Sequence, residues 1–525
     1  MKTDLTKEQN DYALFLPAIS SFYASYIGNQ QSSECVPQSR MPAGIPDMEM
    51  MNFFNNQEGL FKYRWGLYSA GHANLDLTKE VSKEDMIRKR SSDTLLLADS
   101  GGFQIAKGVW EADWLNPNCP KAEKYRSTVL KWLCQISDYS MTLDIPTWTC
   151  NNPDAADKVN IHSYEDAVTA TEYNHEYFMK HATHNAKFLN VLQGSTHDEA
   201  DMWYEQMKKY SDPTVYPDSY FKGWAMGGAN MANAYLAIKR VVTLIHDGLL
   251  EEGKQDWMHF LGTSKLEWAV LLTAVQRAVR RTHNPKFTIS FDCASPFLAT
   301  ANGQIYHETV TPDYRTLTKQ NKSGKWSYRM SPTADNKKYA TDTRKFRDGT
   351  IADGIHEIFE DSPISEHLEM KDVCIYAPGD LNKNGKEGRT SWDSFSYALM
   401  MGHNVWHHIN SVQEANRQFD KGVMPRRLVR IENDRIDTVQ DVIDAVFATN
   451  DFDERIQILD FYEDLLEQVP GARGMSLTKE LLHQTKEEKI VNTKHFAEIT
   501  VGDEFGKKLV TAKDELKLNL DIFGD

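Results

Sequence analysis

Six short apolar runs, each closing on a polar residue or a glycine, recur along this chain and constrain its fold more than any other feature. They end at Asp99, Asp144 (Tyr139-Ser-Met-Thr-Leu-Asp144), Gln193 (Phe188-Leu-Asn-Val-Leu-Gln193), Gly227, Gly262 and Asp292. The intervals between those ends are 45, 49, 34, 35 and 30 residues, enough each time for a loop, a helix and a return loop. Helical spacing of apolar positions fills three of them, at Tyr164–Lys180, Met231–His246 and Leu266–Arg281. A further strand is expected at Tyr12–Ile19. Repeated strand-loop-helix units of this length make a parallel sheet. So many in a row, each with a functional-looking residue at its strand's C-terminal end, predict an α/β fold closed into a (β/α)8 TIM barrel.

The expected organisation is a barrel over 1–420 with a basic insertion around 313–373, followed by an acidic helical C-terminal region over 421–525. Charge supports that division. The chain carries a net −16. Residues 431–525 hold 22 acidic and 11 basic residues, a net of −11, which leaves −5 for the first 430. Within those, 313–348 hold 10 Lys and Arg against 4 Asp, interleaved with Tyr314, Trp326, Tyr328 and Phe346. Cations mixed with aromatics suit phosphate contacts and base stacking; a solvated polar loop has the same composition. A nucleic-acid partner is thus compatible with an acidic protein. No stretch is long and apolar enough for a membrane span, and the start of the chain, Met1-Lys-Thr-Asp-Leu, lacks an apolar leader. Cys35, Cys119, Cys134, Cys150, Cys293 and Cys374 form no CxxC pair. The expected location is the cytoplasm, with no membrane partner.

The chemistry is carried by the strand ends. Asp99 closes one apolar run and is followed by Ser100-Gly101-Gly102-Phe103-Gln104, where two glycines let the backbone fold tightly against a ligand. Asp292 closes another, in Phe287-Thr-Ile-Ser-Phe-Asp292-Cys293. Two carboxylates at strand ends can work at a sugar carbon, one attacking it and the other managing the leaving group's proton, from about 5 Å apart. Asp144 and Gln193 offer an acceptor and an amide for the polar edge of a purine, and Gly228 a backbone N–H at close approach. A barrel glycosidase for free sugars would want Glu-rich strand ends and stacking tryptophans instead.

Taken in order, these segments resemble the queuine/archaeosine-type guanine transglycosylases across about residues 95–310. Asp99-Ser-Gly-Gly-Phe-Gln104 looks like the family segment whose aspartate is the general acid/base and whose aromatic stacks on the base. Met141-Thr-Leu-Asp144, Val191-Leu-Gln193-Gly194 and Ala225-Met-Gly-Gly228-Ala229 are similar to the segments that read the guanine edge. Phe291-Asp292-Cys-Ala-Ser-Pro296, continued by Asn302-Gly303-Gln304, looks like the nucleophile segment. The resemblance implies Asp99 and Asp292 as catalytic residues. It implies Ser100, Phe103, Asp144, Gln193 and Gly228 as the substrate-binding set, with a free 7-deazaguanine base as co-substrate.

The chain also departs from that pattern. The tRNA-acting members hold zinc with a C-x-C-x-x-C triplet and a later histidine. Here the corresponding stretch reads Cys374-Ile-Tyr376-Ala-Pro-Gly379, with His403 downstream. Two of four ligands are missing, so no metal and no cofactor is expected, although Asp380, His407 or His408 could stand in. Arginines that usually follow the nucleophile are replaced by Pro296-Phe-Leu-Ala-Thr-Ala301. Both departures are similar to the branch that exchanges guanine in DNA for a 7-deazaguanine (preQ0 or a relative). DNA is therefore the expected partner, tRNA the alternative, and a non-catalytic partner subunit a third reading. The oligomeric state is open.

Overall fold

A computed structural model describes residues 3–6, 11–28, 41–81, 84–183, 186–301, 304–307, 328–330, 339, 341–355, 358–373, 394–432, 435–469 and 471. Most of the basic insertion, Cys35, Asn302, Gly303, Cys374, Tyr376, Gly379, Asp380 and the chain beyond 471 lie outside the described residues.

Eight strands alternate with helices: β1 (Leu14–Pro17), β2 (Trp65–Ser69), β3 (Leu95–Asp99), β4 (Tyr139–Met141), β5 (Phe188–Leu192), β6 (Gly223–Met226), β7 (Trp257–Phe260) and β8 (Thr288–Cys293). They form one sheet in the order β1-β8-β7-β6-β5-β4-β3-β2. From β3 to β8 each strand pairs in parallel with its successor. This is a nearly closed (β/α)8 barrel, the fold expected from the spacing of the apolar runs. Strands covered on both faces are buried along their whole length, as β2, β5, β6 and β7 are, which is why they read as apolar runs rather than alternating patterns.

Local signals fix the helices. Ser163 and Asp166 make a reciprocal capping box at the start of Tyr164–His181, Thr196 caps His197–Met207, and Asn233 caps Ala234–His246. The sequence reading missed β2. It also expected helices from about 430 onward, whereas Val429–Glu432 and Arg435–Thr438 pair as an antiparallel hairpin. Alternating apolar and charged residues over 429–438 serve a two-residue period better than a helical one.

The chain divides into two compact units. One comprises Met1–Tyr68, Thr78–Leu95 and Cys293–Val423. Its longest helix, Ser394–Asp420, is buried along most of its length and carries His403, His407 and His408. The other comprises Ser69–Leu77, Leu96–Asp292 and Met424–Asp525. Within it the helix Val439–Ala448 packs on Leu266–Thr282, where Arg281 pairs with Asp444 at 2.8 Å. Nearby, Tyr235 donates to Asp460 at 2.6 Å and Asn233 to Glu467 at 2.7 Å. Among the described residues no helix is long and apolar enough to cross a membrane, and Cys119, Cys134, Cys150 and Cys293 form no disulfide.

Candidate active site

Every candidate residue from the sequence lies in the second unit, at or just beyond the C-terminal end of a strand. That is the end of a (β/α)8 barrel where its loops build sites.

Asp99 ends β3 and is held by two donors. The Ser69 hydroxyl reaches Oδ2 at 2.7 Å, and the Gly101 N–H reaches Oδ1 at 3.2 Å. Gly101 takes φ +91°, a left-handed conformation that turns the chain straight into the helix Gly102–Ala106. Gly102 packs on the next strand's loop: a Cβ there would stand 2.5 Å from the Asp144 carbonyl oxygen and 3.1 Å from Oδ1. The Ser100 hydroxyl is fully buried and donates to the Thr142 carbonyl at 2.9 Å. Its side chain thus ties the ends of β3 and β4 together rather than facing an open mouth.

Asp144 sits three residues past β4 and is 6% exposed. The Gln193 amide donates to its Oδ2 at 2.7 Å, so the pair expected to read one purine edge is already assembled. Burial raises the Asp144 carboxyl to about 7; the Gln193 bond opposes that rise and the nearby charge of Asp99 adds to it. Asp144 therefore changes between acceptor-only and donor-plus-acceptor near neutral pH. Gln193 in turn packs on Gly227, where a Cβ would come within 2.9 Å of its amide nitrogen. Gly228 takes φ +52°, and a Cβ there would run into the Gly194 carbonyl. Behind this wall the Asn230 amide donates to the Gln193 carbonyl at 3.3 Å, and its oxygen accepts from buried Arg240 at 3.2 Å.

Asp292, near the end of β8, is 7% exposed. Both of its donors use one oxygen: His259 Nε2 at 3.0 Å and the Gly262 N–H at 2.8 Å converge on Oδ1. Oδ2 takes no hydrogen bond from any described residue.

Phe103 is 41% exposed, with Trp148 at 5.8 Å between ring centroids. The Lys107 ammonium lies 5.5 Å and 5.3 Å from the two ring centres, and burial pushes its pKa down to about 8. This is an aromatic surface with a cation beside it, suited to a flat, electron-rich ring or its phosphate.

Sequence reasoning missed Ser69, His72, Trp148 and His259. Ser69 closes β2, and His72 follows in the turn, its N–H donating to the Ser69 carbonyl at 3.0 Å. His72 is exposed, yet desolvation lowers its imidazole pKa, against the raising effect of the Asp99 charge. The signal for both was present in Trp65-Gly-Leu-Tyr-Ser69-Ala-Gly-His72, an apolar run closing on polar residues like the other six.

Of the residues considered for a zinc site, Cys374 and Asp380 lie outside the described residues. His403 spends both ring nitrogens, on the Tyr306 carbonyl at 2.6 Å and the Ser362 hydroxyl at 2.9 Å. His407 bonds the Glu360 carbonyl at 3.0 Å. Among the described residues no three His, Cys, Asp or Glu side chains group as a metal site would require.

In comparison with known proteins, no family model and no curated sequence matches this chain. The arrangement itself offers one anchored carboxylate whose second oxygen has no donor among the described residues, a second carboxylate held by two donors, and a buried carboxyl–amide pair walled by glycines.

Proposed function

We propose that this chain is a pentosyltransferase that exchanges guanine in DNA for a free 7-deazaguanine base such as preQ0, through a covalent aspartyl–sugar intermediate. The observation that carries this reading is the Asp292 carboxylate, pinned through Oδ1 with Oδ2 open. A carboxylate held in that way is oriented for attack on carbon.

Asp292 Oδ2 attacks C1′ of the target nucleoside as the C1′–N bond breaks, and the electron pair of that bond leaves with guanine. Asp99 is the proton shuttle through which the departing base gains the proton it needs. The incoming 7-deazaguanine then returns a proton to Asp99 as its ring nitrogen attacks C1′ and releases Asp292. One glycosidic bond replaces another, so neither cofactor nor energy source is consumed, and two inversions give overall retention. Asp144 and Gln193 take the polar edge of the base, Gly228 approaches it through backbone, and Phe103 with Trp148 offers a stacking face. Reaching a guanine in duplex DNA means flipping it out, at a cost of a few kcal/mol. The reading places the protein in the cytoplasm, where DNA and free base meet.

The test is nucleoside mass spectrometry on DNA and tRNA from cells that make preQ0 and express this chain, with Asp292→Ala as control. A deazaguanine nucleoside in DNA that vanishes with the variant is the expected result. The same nucleoside confined to tRNA would keep the chemistry and overturn the substrate. Its absence from both would remove the reading.

A further inference from the structure

The donors on Asp292 are the end of a longer chain of hydrogen bonds. Trp257 and His259 alternate on β7, and Ser290 and Asp292 on β8; His259 and Ser290 are register partners. Residues two apart share a face of the pleat, so all four side chains stand on one side of the sheet. The Trp257 indole N–H donates to Ser290 Oγ at 2.8 Å. Ser290 Oγ lies 2.8 Å from His259 Nδ1, and His259 Nε2 lies 3.0 Å from Asp292 Oδ1. Ser290 and His259 are fully buried.

The proton on each bond follows from chemistry. An indole nitrogen only donates, so Ser290 Oγ accepts there. The serine hydroxyl hydrogen then has one acceptor among the described residues, His259 Nδ1. That leaves the imidazole proton on Nε2, directed at Asp292.

Resting on the base-exchange reading, we infer that His259 is a positioning residue held by Trp257 and Ser290 as the Nε2–H tautomer, and that this chain selects Oδ2 of Asp292 as the attacking atom. The donor occupies Oδ1 before attack, in the ester, where Oδ1 is the carbonyl oxygen, and after release. The carboxylate therefore need not rotate during either half-reaction, and the negative charge it regains on release meets a donor already in place. The Gly262 N–H assists but is fixed by backbone; His259 is the adjustable part.

The first arm of the test is nitrogen-15 NMR of the full chain labelled at histidine, with the His259 signals identified by their loss in His259→Gln. Protonated Nε2 and bare Nδ1 are expected, with the preference scrambled in Ser290→Ala. A protonated Nδ1 in the wild type, or a spectrum indifferent to Ser290→Ala, overturns the inference. The second arm is single-turnover formation of the covalent adduct on a guanine-containing DNA duplex and on tRNA. His259→Leu is expected to slow adduct formation about 10²-fold with oligonucleotide Kd unchanged. His259→Gln, whose amide N–H can reach Oδ1, should recover to within about tenfold. Equal rates in His259→Leu and wild type overturn the inference. No wild-type adduct on either nucleic acid would instead remove the base-exchange reading, and the NMR arm then decides the tautomer alone. Should His259→Leu fail to fold, the Ser290→Ala and His259→Gln pair carries both arms.

Discussion

The strand ends of the barrel and the helix Ser394–Asp420 both bury titratable side chains, and they use them in opposite ways. On the helix, His403 gives both nitrogens to a carbonyl and a hydroxyl, His407 binds a carbonyl, and His408 lies 3.6 Å from the Cys293 thiol. Burial pushes all three imidazoles down, His407 and His408 to about 3. They act as neutral pins between segments distant in sequence. At the strand ends, Asp292 keeps one oxygen without a donor among the described residues, and Asp144 has Oδ1 beside Gly102. Burial alone does not mark a site. Unspent bonding capacity, aimed where a ligand can arrive, does.

The largest effect that could break this comparison is at Asp292. Asp292→Ala should cut base exchange by more than about 10⁴-fold and remove the adduct from a denaturing gel; turnover near wild type would reduce Asp292 to a structural acceptor. Asp99→Asn should slow exchange by about 10²–10⁴-fold while gel-shift affinity for DNA holds, because only proton transfer is lost.

Acid and base should then separate the two regions by sign. Asp144 is raised to about 7, so its contribution to stability is complete below about 4 and is lost as pH climbs through 7. Against Asp144→Asn, the wild type should lose up to about 1.4 kcal/mol per pH unit in that window. His407 is lowered, so its contribution is complete above about 6.5 and drains away as pH falls toward 3. His407→Gln should flatten that acid limb in denaturant melts; a limb of unchanged slope would contradict the pin. Gly228→Ala should cost about 1–3 kcal/mol and weaken binding of the free base, read by calorimetry.

The smallest effect concerns the basic insertion. Arg344 pairs with Asp342 and Asp353, and Arg347 with Asp348 and Asp361. These guanidiniums are already answered by carboxylates, so Arg344→Ala should leave the salt dependence of DNA binding unchanged; a shallower slope would make it a phosphate contact.

Much of this was legible in the sequence, for a physical reason. A parallel strand covered on both faces is largely apolar, and the polar residue that closes it stands at the barrel's end, so Asp99, Gln193 and Asp292 announced themselves. Asp144 did so less cleanly, since β4 stops at Met141 and the carboxylate hangs on the loop beyond it. Trp65–Ser69 escaped because Gly66 interrupts its apolar run, and Ser69 and His72 went with it. His259 was hidden in plain view: inside His-Phe-Leu-Gly it reads as one more core residue. Only the register of β7 against β8 places it beside Ser290 and Asp292. Periodicity reveals which face a residue takes; it says nothing about its neighbour across the sheet.

The chain after 420 reads in sequence as an acidic helical region, and its described helices are fastened to the barrel. Asn233 caps Ala234–His246 with its oxygen while its amide is held by Glu467, and Phe452 stacks on His246 at the helix's far end, 4.2 Å between rings. That helix begins six residues after Gly228 and packs on the short helix Gly228–Ala232. Anyone shortening this protein for expression or crystallisation should therefore leave residues 439–467 in place. A cut at 420 would remove the clamp on the back of the glycine wall and strip the cover from the apolar flank of Leu266–Thr282, so that a trimmed chain would report on a damaged barrel rather than on the native one.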